Sequence, residues 1–439
     1  MAPHTSDRTA VPESNQFEQI EAAPNRRAFL AGLSTSSLAA MLGASIPYAA
    51  NWPKGLAPVA LGADEPVAPQ SGEVGLLKST KDGLTMMTDR PVCAETPPHL
   101  LDDTVTPTNR HFVRNNGLLP EAVIKGDATG WTLTIDGEVD KPLKLSIDQL
   151  KKDFEVITRQ IVVECGGNGR AFYSPGTSGT QWTLGAVGCS KWTGVRLRDV
   201  LHAAGVKKTA VYTGHYGADE HLSRQPGKVA ISRGVPIEKA MDENTLIAFA
   251  MNGEAIPALN GFPLRLIVPG WPGSCSQKWL TRVWVRNVKH DGHKMEAPSY
   301  SIPNRPVAPG EKVDHTDFVT ITSMPVKSLI TSPRTGIKLA AGKPVEIHGH
   351  AWAGDRVVTN LDVSMDFGQT WIAAELDKPV NPYAWQHWRV NIVPPVAGYY
   401  EVWARATDSN GVAQPPVSPG WNPKGYLNNI QHRIALFAS

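Results

Sequence analysis

From about residue 318 to the C-terminus, apolar residues recur with a period of two, and this is the strongest constraint on what the 439-residue chain can fold into. Val345 and Ile347 alternate with polar neighbours, as do Leu361, Val363, Met365 and Phe367, and then Tyr400, Val402, Ala404 and Ala406. That period belongs to strands, because successive side chains leave a pleated backbone on opposite sides. Turn segments at Asp366–Gln369 and Pro395–Gly398 separate the runs. Short strands at this spacing predict an all-β, immunoglobulin-like sandwich over 318–439. The preceding stretch, Ile302–Pro306 with Pro309 and Gly310, reads as a linker.

Residues 100–305 mix two periods, so the expected fold class is α+β: an α+β body followed by the sandwich. Trp131, Leu133, Ile135 and Gly137 alternate as in a strand. Ser146 with Gln149 forms a capping box for a short helix through Lys151. Leu197, Val200, Leu201 and Ala204 sit at helical spacing, and Gly205 closes that helix. Ala210–Thr213, Leu246–Phe249 and Leu264–Val268 read as strands. The elements follow no regular βα repeat, which disfavours a doubly wound sheet.

The N-terminus reads as an export segment. Asn25-Arg26-Arg27 precedes an apolar, Ala- and Ser-rich run from Ala28 to about Ala50. A charged front, a mild apolar middle and a small-residue end make a secretory signal, and the arginine pair resembles the twin-arginine type. Residues 1–50 are therefore expected to be a cleaved signal, 51–99 an extended Pro- and Gly-rich arm, and the mature protein periplasmic. No second run of membrane-spanning length follows. With 43 Lys+Arg against 41 Asp+Glu, nothing favours a nucleic-acid partner.

Four cysteines, Cys93, Cys165, Cys189 and Cys275, rule out a disulfide-scaffold fold in a chain this long. There is no CxxC for a zinc ribbon and no CxxCH for attached haem. Gly167-Asn-Gly169-Arg-Ala-Phe172 lacks the third glycine of a dinucleotide loop, no nucleotide-loop lysine follows, and Gly176-Thr-Ser-Gly179 is one residue short of a hydrolase elbow. His290 with His293 and His348 with His350 have metal-like spacing but no third ligand nearby, so packing histidines are expected. Cys165 differs. It ends the apolar run Ile161-Val-Val-Glu and opens a glycine loop, with Arg170 five residues on. A nearby cation favours a thiolate, which a soft metal requires. By composition alone, a buried structural cysteine is the favoured reading.

Several stretches in order resemble the sulfite oxidase family of molybdenum enzymes. They are Phe112–Asn116, Glu164–Arg170, Trp182–Gly188, Lys191–Leu201, Ala250–Gly253, Gly261–Arg265, Val268–Trp271 and Ser276–Leu280, then Asp366–Trp371 and Trp421–Leu427 in the C-terminal region. The resemblance implies a sulfite-oxidase-type molybdopterin domain over 100–305 and a dimerisation domain over 318–439, hence a homodimer. It implies that Cys165 ligates molybdenum carried by one molybdopterin. Arg170, Arg114 and Trp182 would line a pocket for sulfite or a related sulfur oxyanion. Phe112, Val113, Arg114, Asn115, Asn116, Asn260, Arg265, Ser276, Gln277 and Lys278 would contact the cofactor, the basic ones through its phosphate.

The same resemblance implies a reaction and a partner. Sulfite would be oxidised to sulfate, and with no haem expected in the chain, electrons would pass to an external c-type cytochrome. Three departures stand out: Asn116 and Asn260 replace histidines common in the family, and Phe249 replaces a tyrosine thought to assist proton and electron transfer. Either Tyr173, Tyr212 or Tyr216 takes that role, or the substrate differs from the family's. The pocket arginine that the family's C-terminal domain supplies has no clear counterpart near Asn381, Gln386 and His387. A sulfane dehydrogenase subunit, a sulfoxide reductase and a non-catalytic binding protein are the alternatives. With Cys165 on the metal, three cysteines remain, so at most one disulfide is expected.

Overall fold

The computed structural model describes residues 72–439. The expected signal and the first part of the expected arm lie outside these residues. The described chain is mostly β, with a few short helices, the longest being Gly72–Thr80. It is poorer in helix than an α+β reading of 100–305 implies. Among the described residues no helix is long and apolar enough to cross a membrane.

Two five-stranded sheets form the N-terminal body. In one, Val156–Glu164 pairs antiparallel with Val187–Arg196, which pairs with Leu246–Met251; Glu254–Ala255 and Arg265–Ile267 complete its far edge. The other runs Leu143–Ser146, Thr132–Gly137, Leu280–Arg286, Tyr212–Gly217 and Gly234–Pro236, with one parallel pairing, between Thr132–Gly137 and Leu280–Arg286. Leu133, Ile135, Val195, Ile247, Leu266 and Val283 from both sheets share one apolar core. The helix Leu197–Ala204 adds Leu197, Val200 and Leu201 to it and ends at Gly205 in the left-handed conformation, as its spacing predicts. The capping box at Ser146 and Gln149 is also present. The strand expected at Ala210 begins at Tyr212, because the Ala210 N–H turns back to the Lys207 carbonyl.

Residues 72–99, expected to belong to an extended arm, instead pack into the body. Gly72–Thr80 is a helix, and Thr85–Asp89 with Val92–Glu95 forms a hairpin. Val74, Leu77, Val92 and Ala94 pack with Val113, Leu119, Leu259 and Trp279, and this apolar burial outweighs the turn-rich composition. Ser301–Pro303 pairs with Phe318–Thr320, so the expected linker is an excursion closed by a two-stranded ribbon.

The C-terminal region is two facing sheets, as its period of two demands. One contains Lys327–Ser332, Val345–Trp352, Gln386–Ile392 and Glu375–Leu376; the other contains Ile337–Leu339, His432–Ala438, Gly398–Asp408, Val358–Ser364 and Ile372–Ala373. Ile330, Ile347, Trp388, Leu361, Val402 and Ile434 fill the space between them. All four cysteines are buried and unpaired.

Candidate active site

Three chain segments converge on a cleft of about 590 Å³ in the N-terminal body. The first is Phe112–Asn116. The pair Val113–Arg114 forms a short strand against Val92–Glu95, with Cys93 opposite Arg114 and Ala94 opposite Val113. Strand alternation sends Val113 into the core and leaves Arg114 at the cleft. The second is Cys165, the residue after the strand Val156–Glu164, whose N–H donates to the Ala186 carbonyl at 2.9 Å. The third is Ser276–Lys278, between the strands Arg265–Ile267 and Leu280–Arg286.

The cleft is crowded with cations. Lys278 Nζ donates to Asn115 Oδ1 and to the Leu259 carbonyl, each at 2.6 Å. Arg265 donates through Nη1 to the Asn260 carbonyl at 2.9 Å and lies over the Trp192 ring. Asn260 Oδ1 accepts from Lys81 Nζ at 2.6 Å, while its Nδ2 donates to the Phe112 carbonyl. None of Lys81, Lys278, Arg265 and Arg114 forms a salt bridge among the described residues. Burial depresses all three of Lys81, Lys278 and Arg265, to about 7 for Lys81 and about 9 for Arg265, and Arg265 further depresses both lysines. Burial also pushes His111 well below its ordinary value, with Lys81, Arg265 and Lys278 adding to the effect. Asp219 is raised to about 6 by burial, against the pull of Lys278 and Lys294. For Arg114, burial opposes the charge, but Tyr300, Cys93, Cys165 and Tyr426 hold its pKa above the ordinary value.

This donor set suits a phosphate-bearing cofactor that carries its own metal ligands. Buried cations lacking counter-ions are costly unless an anion joins them. Four side-chain atoms at the cleft are also buried without partners: His111 Nε2, Asn115 Nδ2, Ser274 Oγ and Gln277 Oε1. Among the described residues no group of three or more His, Cys, Asp or Glu side chains is placed to hold a metal. A metal that brings most of its ligands needs from the protein only one soft donor, and Cys165 lines the cleft. The residues fit the group.

Of the residues singled out from sequence, Phe112, Arg114, Asn115, Asn116, Cys165, Arg265, Ser276, Gln277 and Lys278 line the cleft. Val113, Asn260, Trp182 and Arg170 do not. Val113 is core, and Asn260 is buried behind the lining, bridging Lys81 and Phe112. Trp182 is fully buried and packs with Cys165 and Phe112. Arg170 is buried, with Nε donating to the Lys424 carbonyl at 2.7 Å and Nη1 to the Thr180 carbonyl at 2.8 Å, its guanidinium over the Tyr426 ring. Gly167 is required there, since a Cβ would lie 2.2 Å from Arg170 Nη2.

Sequence reasoning missed Tyr300, His111, Lys81 and Lys294. Tyr300 lines the cleft with a left-handed φ of 46°, donates to Asn116 Oδ1 at 3.3 Å and stacks on Tyr426. Strained backbone of this kind concentrates at functional sites. Lys294 Nζ donates to the same Asn116 oxygen at 2.9 Å. The expectation that Tyr173, Tyr212 or Tyr216 supplies a cleft phenol is corrected, since none of them lines it. Phe249 packs on the main core under Lys151, away from the lining residues. The signal for Tyr300 was too faint to read, because its neighbours are turn residues without a pattern. No sandwich residue lines the cleft; Asn381 instead donates to the Gln160 carbonyl. The two histidine pairs lie elsewhere: His290 bonds Ser232, and His350 stacks on Trp385.

Comparison with known proteins agrees with this geometry. Residues 120–294 match the oxidoreductase molybdopterin binding domain, and residues 319–438 the Mo-co oxidoreductase dimerisation domain. Mitochondrial sulfite oxidase of Homo sapiens is 34% identical over 372 residues, covering 81% of this chain and 66% of that protein. Sulfite oxidase of Gallus gallus is 32% identical over 367 residues, covering 80% of this chain and 77% of that protein. The chain thus spans about two thirds of the length of the human relative. Among solved structures, the sulfane dehydrogenase SoxCD from Paracoccus pantotrophus superimposes with a TM-score of 0.66 at 27% identity, covering 90% of this chain and 95% of that one. With a cationic cleft, one cleft thiol and both domains matched, the chain belongs to the sulfite oxidase family of molybdopterin oxidoreductases.

Proposed function

We propose that the protein oxidises sulfite to sulfate in the periplasm as a homodimer, passing electrons one at a time to an external c-type cytochrome. The balance is sulfite plus water giving sulfate, two protons and two electrons, so two one-electron acceptors are consumed per turnover. The single observation that carries the reading is the cleft itself, where Cys165 lies among Arg114, Arg265 and Lys278. In this reading the C-terminal sandwich is immunoglobulin-like and supplies the dimer contact.

The molybdenum cofactor, when bound, supplies oxygen-atom transfer and a two-electron redox change. The protein positions and neutralises charge. Lys278 and Arg265, which line the cleft, would hold the cofactor phosphate, with Asn260 behind the lining bonding both Arg265 and Lys81. Asn115 and Gln277 offer unpartnered amide atoms to the ring edge. Arg114 stays charged and draws a dianion to the mouth beside Cys165, where its attraction is strengthened by low exposure to water. The Tyr300 hydroxyl, which here donates to Asn116 Oδ1, could turn from it to donate to an oxyanion in the cleft. Arg170 acts behind this wall, tying Tyr426 and the 424 carbonyl to the 165–170 loop.

A second reading, a sulfane dehydrogenase subunit, is favoured by the likeness to SoxCD across nearly the whole described chain. One experiment separates the readings: molybdenum-loaded protein assayed for cytochrome c reduction with sulfite, thiosulfate, a protein-bound sulfane and a sulfoxide. Turnover of sulfite alone supports the proposal. Turnover of the sulfane alone replaces it, and active protein free of molybdenum overturns both.

A further inference from the structure

Glu164 immediately precedes Cys165 and is buried against the C-terminal sandwich. Its Oε1 accepts from Lys327 Nζ, the first residue of the strand Lys327–Ser332, and from Asn168 Nδ2 at 3.0 Å. Its Oε2 accepts from Trp352 Nε1 at 2.9 Å, also in the sandwich. Lys327 Nζ reaches on to the Asn168 carbonyl at 3.2 Å, and Asn168 Oδ1 accepts from the Ala186 N–H at 3.1 Å. The backbone is tied as well: the Glu164 carbonyl accepts from the Gly273 N–H at 2.6 Å, and the Cys165 carbonyl from the Asn168 N–H at 2.9 Å. Glu164 and Asn168, which stand on either side of Cys165, are therefore both held by one buried ion pair whose cation comes from the other domain.

We propose that Lys327, Glu164 and Trp352 form a positioning clamp through which the sandwich sets the orientation of the Cys165 thiol. The clamp rests on the reading of Cys165 as the metal ligand. The two ends are buried to 4% and 2% exposure, where a lone charge is costly and its partner cannot be replaced by water. Removing one end leaves the other to seek new partners, and the nearest movable backbone is the loop that bears Cys165. Removing both ends leaves a neutral, hydrogen-bonding site that the loop can tolerate. The sandwich is then part of the metal site's support, in addition to any role in assembly.

The test uses molybdenum-loaded protein with Glu164→Gln, Lys327→Met, the double variant and Trp352→Phe. Readouts are molybdenum content, the Mo(V) paramagnetic resonance spectrum, the thiolate-to-metal absorption band, and kcat against KM for sulfite. Expected are altered spectra and a kcat lowered about 10- to 100-fold in each single charge variant, as for other supports of metal ligands. The double variant should recover most of the loss. Trp352→Phe, which removes the indole N–H and keeps a smaller aromatic ring, should shift the spectra in the same direction by less and serves if a charge variant does not fold. Lys239→Met, which breaks another inter-domain ion pair at Asp355 (2.7 Å), should lower stability and leave the spectra unchanged. Single variants with the parent spectra overturn the clamp, as does a spectral change equal to that of Lys239→Met. If Cys165→Ser leaves the parent spectra intact, the ligand reading fails instead.

Discussion

Lys278 donates to Asn115 Oδ1 at 2.6 Å, and this one bond joins two cleft segments 163 residues apart. The lysine has no salt bridge among the described residues, and Arg265, Lys81 and Arg114 all act against its charge. An anion in the cleft would turn this repulsion into binding energy.

Lys278→Met is therefore expected to weaken cofactor retention roughly 10- to 100-fold, the worth of one charge-assisted hydrogen bond. Molybdenum per chain after gel filtration checks this. In the cofactor-free protein the same variant should melt at the parent temperature or above, since it removes a buried cation that has no counter-ion.

The pH dependence of stability should differ between the loaded and empty forms. Lys81 is depressed to about 7 from an ordinary 10.5. Between those values the unfolded chain holds a proton that the folded chain has released, so stability rises with pH. The empty protein should gain Tm between pH 7 and pH 9, and Lys81→Met should flatten the gain. A bound polyanion keeps Lys81 charged, so the loaded protein should show little of it.

Asp219 titrates in the opposite sense. Burial raises it to about 6 from 3.8, so the folded chain holds the proton longer, and the resulting stability is lost as pH rises through 6. Asp219→Asn should stabilise the empty protein on the order of 2–3 kcal/mol at pH 7.5 and leave it unchanged at pH 4. Denaturant titrations at the two pH values decide the matter.

Tyr300→Phe keeps the stack on Tyr426 and removes the hydroxyl that meets Asn116. Molybdenum content should be unchanged, while kcat/KM for sulfite falls about 10- to 100-fold, as expected for a hydrogen bond to a charged group. An unaltered kcat/KM would show that the phenol is not used.

Arg170→Lys tests whether that residue acts on substrate directly. A lysine cannot hold the 424 and 180 carbonyls together while covering the Tyr426 ring. The wall behind Tyr300 should loosen, so Tm falls and kcat/KM drops, with no change in the salt dependence of KM. A strong change in that salt dependence would return Arg170 to the anion pocket.

What could be read from sequence was whatever repeats locally. The period of two in Leu361–Val363 and Tyr400–Ala406 and the helical spacing of Leu197–Ala204 were legible, since burial writes the same pattern wherever it acts, but the run expected to continue to Phe367 stops with the strand at Ser364, and Phe367 is exposed in a turn with a left-handed φ of 61°. Cleft residues in dense motifs, such as Cys165 and Ser276–Lys278, were legible by resemblance. Lys81, Lys294 and Tyr300 were not, because their roles come from contacts across 179, 178 and 184 residues that leave no local signature. Arg170 shows the converse: its motif was plain, yet two backbone carbonyls turned its guanidinium away from the cleft lining.

The parallel pairing of Thr132–Gly137 with Leu280–Arg286 has a consequence for the order of assembly. A ribosome must deliver some 140 residues between these strands before they can pair with each other, and such distant closures are slow. Lys278 stands two residues before the second strand, and Lys327 emerges later still. During synthesis the thiol at 165 is thus made well before Arg265 and Lys278, and before Lys327, which steadies its loop. The parts of the cleft can therefore come together only after well over half of the chain has been made.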